Sequence, residues 1–320
     1  MNQTARSFRS TLPRFRQSLL VLLSLTTLSF ASHAETISVQ HAQGTAQVPV
    51  KPEKVVVFDL ATLDTLRTLK IADAVIGVPE TPYPKHLSHF QEASYTRVGS
   101  LFEPNYEVVN QLKPELIIVG GRSGPKQADL AKLAPTIDLT VNQENPISSV
   151  DTNVRLLGKI FGKETEAETE LKKMHDAIAA LKQKASGAGT GLIVLTTGGK
   201  MSAYGPGSRF GIIHDVFGFK PAVTDLKESN HGQAISFEFI LKTNPDWIFV
   251  VDRDAAIGSE GQAAAKLLDN ALVRNTKAWK KEQVVYLDSF NWYLLASAGL
   301  TAMQENIQQL SDAVDAHKHH

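Results

Sequence analysis

A segment of eighteen residues occurs twice in the chain, and this internal repeat constrains the fold more than any other feature. Residues 105–122 (NYEVVNQLKPELIIVGGR) align without gaps with residues 236–253 (SFEFILKTNPDWIFVVDR), 131 positions further along. Glutamate, proline and arginine recur at equivalent positions: Glu107 and Glu238, Pro114 and Pro245, Arg122 and Arg253. A period of 131 residues is too long for a solenoid. The repeat therefore predicts two related lobes, each with a helix, a proline-containing turn, a buried strand and an arginine just past that strand.

The rest of the sequence has the alternation that is typical of parallel α/β folds. Short, nearly continuous apolar runs are separated by helix-like segments, as in KVVVF, AVIGVP and ELIIVGG in the first half and GLIVLTT, DWIFVVD and QVVYLD in the second. Strands that are apolar along their whole length are buried on both faces, as parallel strands between helices are. The sequence therefore predicts an α/β protein with two Rossmann-like lobes, each built on a parallel sheet.

One long amphipathic helix is predicted between the two halves. Apolar residues recur there at steps of three and four: Ala167, Leu171, Met174, Ile178, Leu181 and Ala185. At 1.5 Å per residue such a helix runs for about 35 Å, enough to cross a domain. An ordinary surface helix is the alternative, but the position between two similar halves favours a rigid link. We predict an N-terminal lobe over residues 35–163, a linking backbone helix over 164–186 and a C-terminal lobe over 187–320, with a ligand cleft between the lobes.

The first 34 residues have the pattern of a secretory signal peptide. They contain four arginines and no acidic residue, followed by the apolar run SLLVLLSLTTLSF and the small-residue ending ASHA. The apolar run has about 13 residues, fewer than the roughly 20 that a membrane-spanning helix needs. We predict export by the Sec pathway with Glu35 as the mature N-terminus; an uncleaved membrane anchor is the alternative.

The amino-acid composition limits which cellular compartment and which partners are expected for this protein. The chain has 33 basic and 33 acidic residues, and removing residues 1–34 with their four arginines leaves 29 basic and 33 acidic residues. A net negative charge argues against nucleic acid as a partner. The absence of cysteine excludes disulfides, thiolate metal sites and the acylated cysteine of a lipoprotein. A protein that diffuses freely in the periplasm, without a lipid anchor, is therefore predicted.

Three arginines are predicted to share one binding cleft. Arg122 and Arg253 each follow the carboxyl end of a strand, where parallel α/β sheets bind their ligands. Arg209 lies in the glycine-rich segment YGPGSRFG, which follows the strand GLIVLTT. Together the three guanidinium groups would form an electropositive pocket able to donate paired hydrogen bonds to an oxyanion. A solvated surface charge is the alternative for each arginine alone, but the matched repeat positions favour a site for Arg122 and Arg253.

Histidines and tyrosines supply further candidates. His231 lies in the polar segment ESNHGQ, where no apolar face would bury it, and is therefore available as a metal ligand. Tyr286 and Tyr293 lie in the aromatic segment YLDSFNWYLL, which predicts either core packing or stacking on a flat aromatic ligand. His86 and His89 are predicted to lie on a solvated face, because they have no acidic partner nearby in the sequence.

Recognisable enzyme motifs do not occur in the sequence. Gly199 and Lys200 are followed by Met201 and not by Ser or Thr, so this segment is no P-loop. The segment GPGSRFG is not a nucleophile elbow, and there is no HExxH. We therefore predict a binding protein and not an enzyme, with a periplasmic α/β hydrolase as the less favoured alternative. The tail histidines, a native or an engineered feature, receive no role: His317, His319 and His320.

Taken together, the sequence resembles the periplasmic siderophore-binding proteins of ABC importers whose lobes are joined by one backbone helix, and most closely the enterochelin-uptake branch that binds ferric catecholates. The resemblance covers essentially the whole mature chain, and GSRFGIIHDVFGF, NHGQAISFEFI, VVDR and WYL carry it most specifically. It implies that an arginine triad binds an anionic ligand: Arg122, Arg209 and Arg253. It further implies that His231 and Tyr293 bind ferric iron, with Tyr286 as the alternative phenol, and that the protein has no intrinsic cofactor.

The resemblance also implies how ligand and partners are bound. Fe³⁺ is hard and six-coordinate, and two catecholates supply four oxygens, so a histidine and a tyrosine would complete the shell of a tetradentate ligand. A tris-catecholate such as enterobactin would need only the arginines. Glu107 and Glu238 would dock on the inner-membrane permease; a favourable carboxylate in the first helical turn is the alternative for each. A monomer is expected, and haem, cobalamin or a free divalent metal are the alternative ligands.

Overall fold

The computed structural model describes residue 1 and residues 35–226, 231–259, 263–296 and 298–317. After the first residue, the described chain begins with a hairpin of strands β1 (Thr36–His41) and β2 (Gly44–Pro49). The hairpin loop contacts the sheet that follows it, because the side-chain amide of Gln43 donates to the Gly124 carbonyl (2.6 Å) and to the Asp138 carboxylate (2.5 Å). The two short strands therefore do not stand alone but cover one edge of the first lobe.

The first sheet has five strands, which are β3 (Val55–Val57), β4 (Val75–Val78), β5 (Thr96–Arg97), β6 (Leu116–Val119) and β7 (Thr136–Asp138). Their order is β5-β4-β3-β6-β7, and every pair is parallel. β3 and β6, at the centre, are buried along their whole length, as strands covered on both faces are. The predicted parallel sheet is confirmed for this half.

The second sheet is mixed, so the prediction of a parallel sheet is wrong for part of it. Its strands are β8 (Thr190–Thr197), β9 (Lys200–Tyr204), β10 (Lys220–Pro221), β11 (Gln233–Ile235), β12 (Trp247–Asp252) and β13 (Val284–Tyr286). β12 runs parallel to β8 and β13, and β10 runs parallel to β8. By contrast, β9 is antiparallel to both β8 and β11.

A two-residue hairpin causes this difference between the sheets. Gly198 and Gly199 lie between the paired residues Thr197 and Lys200 and have φ values of 54° and 74°. Two consecutive positive φ values define the tight turn whose twist fits an antiparallel pair, and glycine adopts them without steric cost. The Gly-Gly pair therefore turns the chain straight back after β8, before the parallel pattern resumes.

Twelve α-helices are present in the described part of the chain. They are α1 (Leu60–Thr68), α2 (Tyr106–Leu112), α3 (Gln127–Leu130), α4 (Pro146–Phe161), α5 (Glu164–Ala185), α6 (Ile212–Asp215), α7 (Phe237–Thr243), α8 (Arg253–Ala256), α9 (Ala264–Leu268), α10 (Ala271–Arg274), α11 (Lys277–Lys280) and α12 (Leu300–Ala316). α5 is the long helix that the sequence predicted, and the six apolar residues of its predicted stripe are buried. α12 follows the second sheet in sequence but packs against α5 and α1.

The repeat is present as the same structural unit in both halves. α2 begins after the capping residue Asn105 and α7 after Ser236, and each side chain accepts a hydrogen bond from the helix backbone. Each seven-residue helix ends at a left-handed residue, Lys113 (φ 48°) or Asn244 (φ 45°). β6 and β12 follow at the equivalent place and are central strands of their sheets. The predicted helix, turn and buried strand are thus confirmed twice.

Some predictions concern residues that the structure does not describe. The signal peptide falls on residues 1–34, of which only Met1 is described, and the tail residues His319 and His320 also lie outside the described part. Among the residues that are described, no helix combines the length and apolar character that crossing a membrane requires. The boundaries of the two lobes, at residues 163 and 187, remain a prediction.

Candidate ligand-binding site

The three arginines are held at the ends of strands or in the loop before a helix. Arg122 follows β6 after Gly120 and Gly121, and the positive φ of Gly121 (46°) turns the chain back over the strand end. Arg253 is the first residue of α8, directly after β12. Arg209 lies in the loop between β9 and α6. The structure therefore places Arg122 and Arg253 at equivalent strand ends, as the repeat predicted.

A π-helical turn, Phe290–Leu294, brings Tyr293 to these arginines; we call it the Tyr293 turn. The Tyr293 carbonyl accepts from Nη2 of Arg122 (2.7 Å) and from Nη2 of Arg209 (2.9 Å). The Tyr293 phenol accepts from Nε of Arg253 (2.9 Å). All three guanidinium carbons lie within 6 Å of the Tyr293 ring centre, at 5.3, 4.6 and 5.7 Å. Arg122, Arg209, Arg253 and Tyr293 therefore form one cluster, which we call the arginine cluster.

The backbone around Tyr293 is unusual. π-helical turns are rare and often occur at functional sites. Ala296, just after the turn, has a φ of 49°, a left-handed conformation that costs a residue with a side chain about 1 kcal/mol. Trp292, next to Tyr293, is fully buried and anchors the turn in the core. This strained segment is held in place by its neighbours, and the arginine bonds to the Tyr293 carbonyl belong to those restraints.

The electrostatics of the arginine cluster favour an anion. Burial alone would raise the pKa of the Tyr293 phenol, but the hydrogen bond from Arg253 and the positive charges of all three arginines outweigh it and hold that pKa below its ordinary value. Burial, together with the charge of Arg209, lowers the pKa of Arg122. Among the described residues, only Arg253 of the three has a carboxylate within 4 Å, Asp254 at 3.9 Å. The cluster therefore carries an excess of positive charge and stabilises a phenolate.

Arg122 lines a cavity of about 90 Å³. Its lining includes Asp59, which lies two residues after β3 and caps α1, together with Asn153 of α4 and Leu294 of the Tyr293 turn. Burial raises the pKa of Asp59, although Thr62 donates two hydrogen bonds to it and Arg122 lies nearby. Arg122 belongs both to this lining and to the arginine cluster, and its Nη1 donates to the Leu294 carbonyl (3.0 Å).

The other predicted site residues lie in different surroundings. His231 is exposed and lies two residues before β11, and its role as an iron ligand remains a prediction. Tyr286 is 39% exposed on β13, and burial and the charge of Asp269 raise its pKa. Of the two candidate phenols, only Tyr293 lies in the arginine cluster. Glu107 and Glu238 are both exposed in the first turn of their repeat helices, α2 and α7.

Sequence reasoning missed two features near the site. Phe102 is 56% exposed, and its ring centre is 6.0 Å from the guanidinium carbon of Arg122. The short loop that carries it is fixed by Ser100, whose hydroxyl accepts from two backbone amides, and by Gly99, whose φ of 110° only glycine adopts readily. An exposed aromatic residue on a fixed loop is available for stacking on a ligand, yet a single phenylalanine gives no signal in the sequence.

The second feature concerns His86, for which the prediction of a solvated face is wrong. Its side chain is only 11% exposed and lies between the carboxylates of Asp64 and Glu305, each 3.7 Å from one of its ring nitrogens. These acidic residues are far from His86 in the sequence, on α1 and α12, so inspection of neighbouring residues could not find them. His89 is half-buried against the aromatic rings of Phe90 and Tyr95 (4.0 and 6.2 Å between ring centres).

Two α/β halves connected by one long helix, with a cationic site at the carboxyl ends of their strands, are the architecture of a substrate-binding protein. Residues 55–290 match the family described as periplasmic binding protein, and the chain belongs to this family. Membership confirms the predicted α/β architecture and the prediction that the chain is a binding protein and not an enzyme.

Three relatives are similar to this chain over most of its length. The petrobactin-binding protein YclQ of Bacillus subtilis is 42% identical over 88% of this chain and 89% of its own length, and its crystal structure superposes with a TM-score of 0.85. The periplasmic catecholate-siderophore binding protein VctP of Vibrio cholerae is 30% identical over 88% of this chain and 100% of its own, with a TM-score of 0.81. The ferric-anguibactin-binding protein FatB of Vibrio anguillarum is 31% identical over 84% of each chain.

Proposed function

We propose that this protein captures a ferric siderophore outside the cytoplasmic membrane and delivers it to an ABC importer. The observation that carries the proposal is the arginine cluster, in which three guanidinium groups surround one phenol. Relatives that bind petrobactin, ferric anguibactin and a catecholate siderophore support the ligand class. The finer proposal is a catecholate ligand, whose ferric complex is anionic and aromatic and thus suits both the arginines and Phe102.

The proposed ligand is a tetradentate bis-catecholate. Its four oxygens leave two positions of six-coordinate Fe³⁺ open, and Tyr293 and His231 would fill them. The lowering of the Tyr293 pKa supports this role, because a phenolate is the form that binds a hard cation. Binding would require Tyr293 to exchange its hydrogen bond with Arg253 for the iron, while the arginines turn to the catecholate oxygens. A tris-catecholate would fill the shell and leave Tyr293 in place.

Delivery to the importer is proposed to use the exposed helices of the repeat. Glu107 and Glu238 occupy equivalent positions on α2 and α7, one beside each sheet. Two exposed carboxylates, one per half, suit docking on basic residues of a permease in the inner membrane. The proposal includes a soluble periplasmic monomer released by cleavage before Glu35, with lobes divided at residues 163 and 187.

The test is a titration of the purified protein with the ferric complex of a synthetic ligand, two 2,3-dihydroxybenzamide groups on one diamine linker. We expect saturable quenching of tryptophan fluorescence at one-to-one stoichiometry and a shift of the visible charge-transfer band, because a protein phenolate joins the iron. Tyr293→Phe and His231→Ala should each abolish or reduce the band shift. Tyr286→Phe is the matched control and should leave it unchanged. If wild type shows neither quenching nor a band shift at micromolar ligand, the catecholate proposal fails.

A further inference from the structure

Phe102 exposes 56% of its side chain, the largest fraction for any large apolar residue that the structure describes after Met1. A single exposed apolar residue is common on protein surfaces and needs no function by itself. The neighbourhood of Phe102 is less ordinary. Its ring centre lies 6.0 Å from the guanidinium carbon of Arg122, and the same carbon lies 5.3 Å from the ring centre of Tyr293. The exposed ring therefore borders the arginine cluster.

The loop that carries Phe102, between β5 and α2, has little freedom to move. Gly99 and Pro104 pair as an isolated antiparallel bridge, which closes the base of the loop. A Cβ at Gly99 would lie 2.3 Å from the Glu103 carbonyl oxygen, so the closed loop requires glycine at this position. Leu101 is only 7% exposed and anchors the loop in the core. Phe102, the next residue, is thus held at the surface by a loop that is fixed on both sides of it.

This loop touches the segment that follows Arg122. Nζ of Lys126, at the end of the short 3-10 helix after Arg122, lies 2.8 Å from the carboxylate of Glu103, the residue next to Phe102. Glu103 is 70% exposed, so the ion pair contributes little to stability. It nevertheless shows that the two loops adjoin. The cation of Arg122 and the ring of Phe102 are therefore presented side by side by neighbouring loops of the first sheet.

A guanidinium group beside a phenyl ring suits one kind of chemical group, an oxygen anion borne directly on an aromatic ring. The guanidinium donates charged hydrogen bonds to the oxygens, and the phenyl ring stacks on the aromatic ring in an offset or edge-to-face arrangement. A catecholate carries its oxygens in this way. Hydroxycarboxylate and aliphatic hydroxamate chelators of iron offer the oxygens without the ring, so they gain only the first of the two contacts.

We propose that Phe102 is a specificity-determining residue, which forms with Arg122 a subsite for an oxyanion-bearing aromatic ring and so favours aryl chelators of iron over aliphatic chelators. The proposal rests on the proposed function, because the ring that it recognises belongs to the siderophore. It does not depend on how iron is coordinated, since neither Phe102 nor Arg122 is a proposed iron ligand. The subsite therefore selects the organic part of the ligand and leaves the metal to other residues.

The first test needs no iron and uses protein labelled with 4-fluorophenylalanine, in which the Phe102 resonance is the one that is missing from Phe102→Leu. Benzoate carries its carboxylate on an aromatic ring, whereas cyclohexanecarboxylate has the same charge and a similar size but no aromatic ring. We expect millimolar benzoate to shift the ¹⁹F resonance of Phe102 and cyclohexanecarboxylate to leave it in place. The absence of a shift with benzoate, or equal shifts with both acids, would overturn the subsite.

The second test titrates the protein with the ferric bis-catecholate probe, the synthetic complex that also tests the proposed function. We expect Phe102→Leu to weaken binding by about fivefold, as the loss of one aromatic pair does, while Phe102→Tyr keeps the ring and should bind like wild type. Tyr286→Leu removes an exposed aromatic ring outside the arginine cluster and is the matched control.

The two tests separate the subsite from the proposed function. If Phe102→Leu binds the probe as tightly as wild type does, the subsite is contradicted while the proposed function stands. If the probe fails to bind wild type, the proposed function fails, and the benzoate measurement still decides whether Phe102 and Arg122 recognise an aromatic oxyanion.

Discussion

Arg122 and Arg253 occupy equivalent positions of the repeat, yet they are bound in different ways. Arg122 reaches to the backbone, donating to the carbonyls of Tyr293 and Leu294. Arg253 binds side chains, donating to the phenol of Tyr293 and to the hydroxyl of Thr197, and it has Asp254 as a counter-ion. A duplicated unit thus supplies two identical cations, and their surroundings give them different tasks. Arg122 holds the backbone of the Tyr293 turn, and Arg253 lowers the pKa of the Tyr293 phenol.

The largest difference between Arg122 and Arg253 is expected in their contributions to ligand affinity. We expect Arg122→Met to weaken binding of the ferric bis-catecholate probe by about 100-fold and Arg253→Met by about tenfold, since the first change removes an ion contact and the anchor of the turn. Fluorescence-quenching titrations measure both. Arg155→Met, which removes an exposed ion pair with Glu168 and a longer contact with Asp151 (3.9 Å), is the control and should bind like wild type. Equal losses for both variants would show that the repeat positions are also functionally equivalent.

The two substitutions should rank in the opposite order when the pKa of Tyr293 is measured. The hydrogen bond from Arg253 is the largest influence that lowers the pKa of Tyr293, so Arg253→Met should raise this pKa more than Arg122→Met does. Ultraviolet titration of phenolate absorbance, with Tyr293→Phe as the reference, measures it. Because the folded-state pKa lies below the unfolded value of about 10, the phenolate's stabilisation is complete above the unfolded pKa. It is lost as pH falls through the folded pKa. The stability difference between wild type and Tyr293→Phe should therefore grow as pH rises.

The smallest expected difference between the two repeat units is in the free energy of unfolding, when glycine replaces the left-handed residue at the end of each repeat helix. Lys113→Gly should stabilise the protein by about 1 kcal/mol, because glycine adopts positive φ without cost. Asn244→Gly should not, because asparagine tolerates this conformation and its side chain accepts a hydrogen bond from the Lys277 amide (2.8 Å). Urea unfolding of the two variants measures the contrast. A gain at both positions would mean that the Lys277 bond contributes nothing.

Much of the fold could be predicted from the sequence because its signals are local. The period of the long helix, the apolar runs and the repeat each depend on neighbouring residues, and all three are present in the structure. The turn at Gly198 and Gly199 has an equally local signal, but only Gly199 was considered, together with Lys200, and only to exclude a phosphate-binding loop. The antiparallel strand β9 was missed for that reason.

The positions of site residues could be predicted only where the topology of the parallel sheets determines them. Arg122 and Arg253 lie where they were expected because the carboxyl ends of parallel strands define one edge of a sheet. The place of Tyr293 depends on a π-helical turn, and the environment of His86 depends on helices joined only in the folded chain. Residue spacing does not reveal these features. The position of Tyr293 could therefore be suggested only by family resemblance, and the environment of His86 was predicted wrongly.

The return of α12 to the first half has a consequence for how the protein acquires its structure. This helix bonds to α1 through Thr301 and Thr68 (3.1 Å) and to α5 through Ser311 and Lys184 (2.7 Å). The core of the first half is therefore incomplete until α12 has been synthesised. Contacts so distant in sequence slow folding and couple the halves, so the two halves should lose their structure in one transition. A chain that is shortened before α12 should accordingly be a substrate for proteases along its whole length.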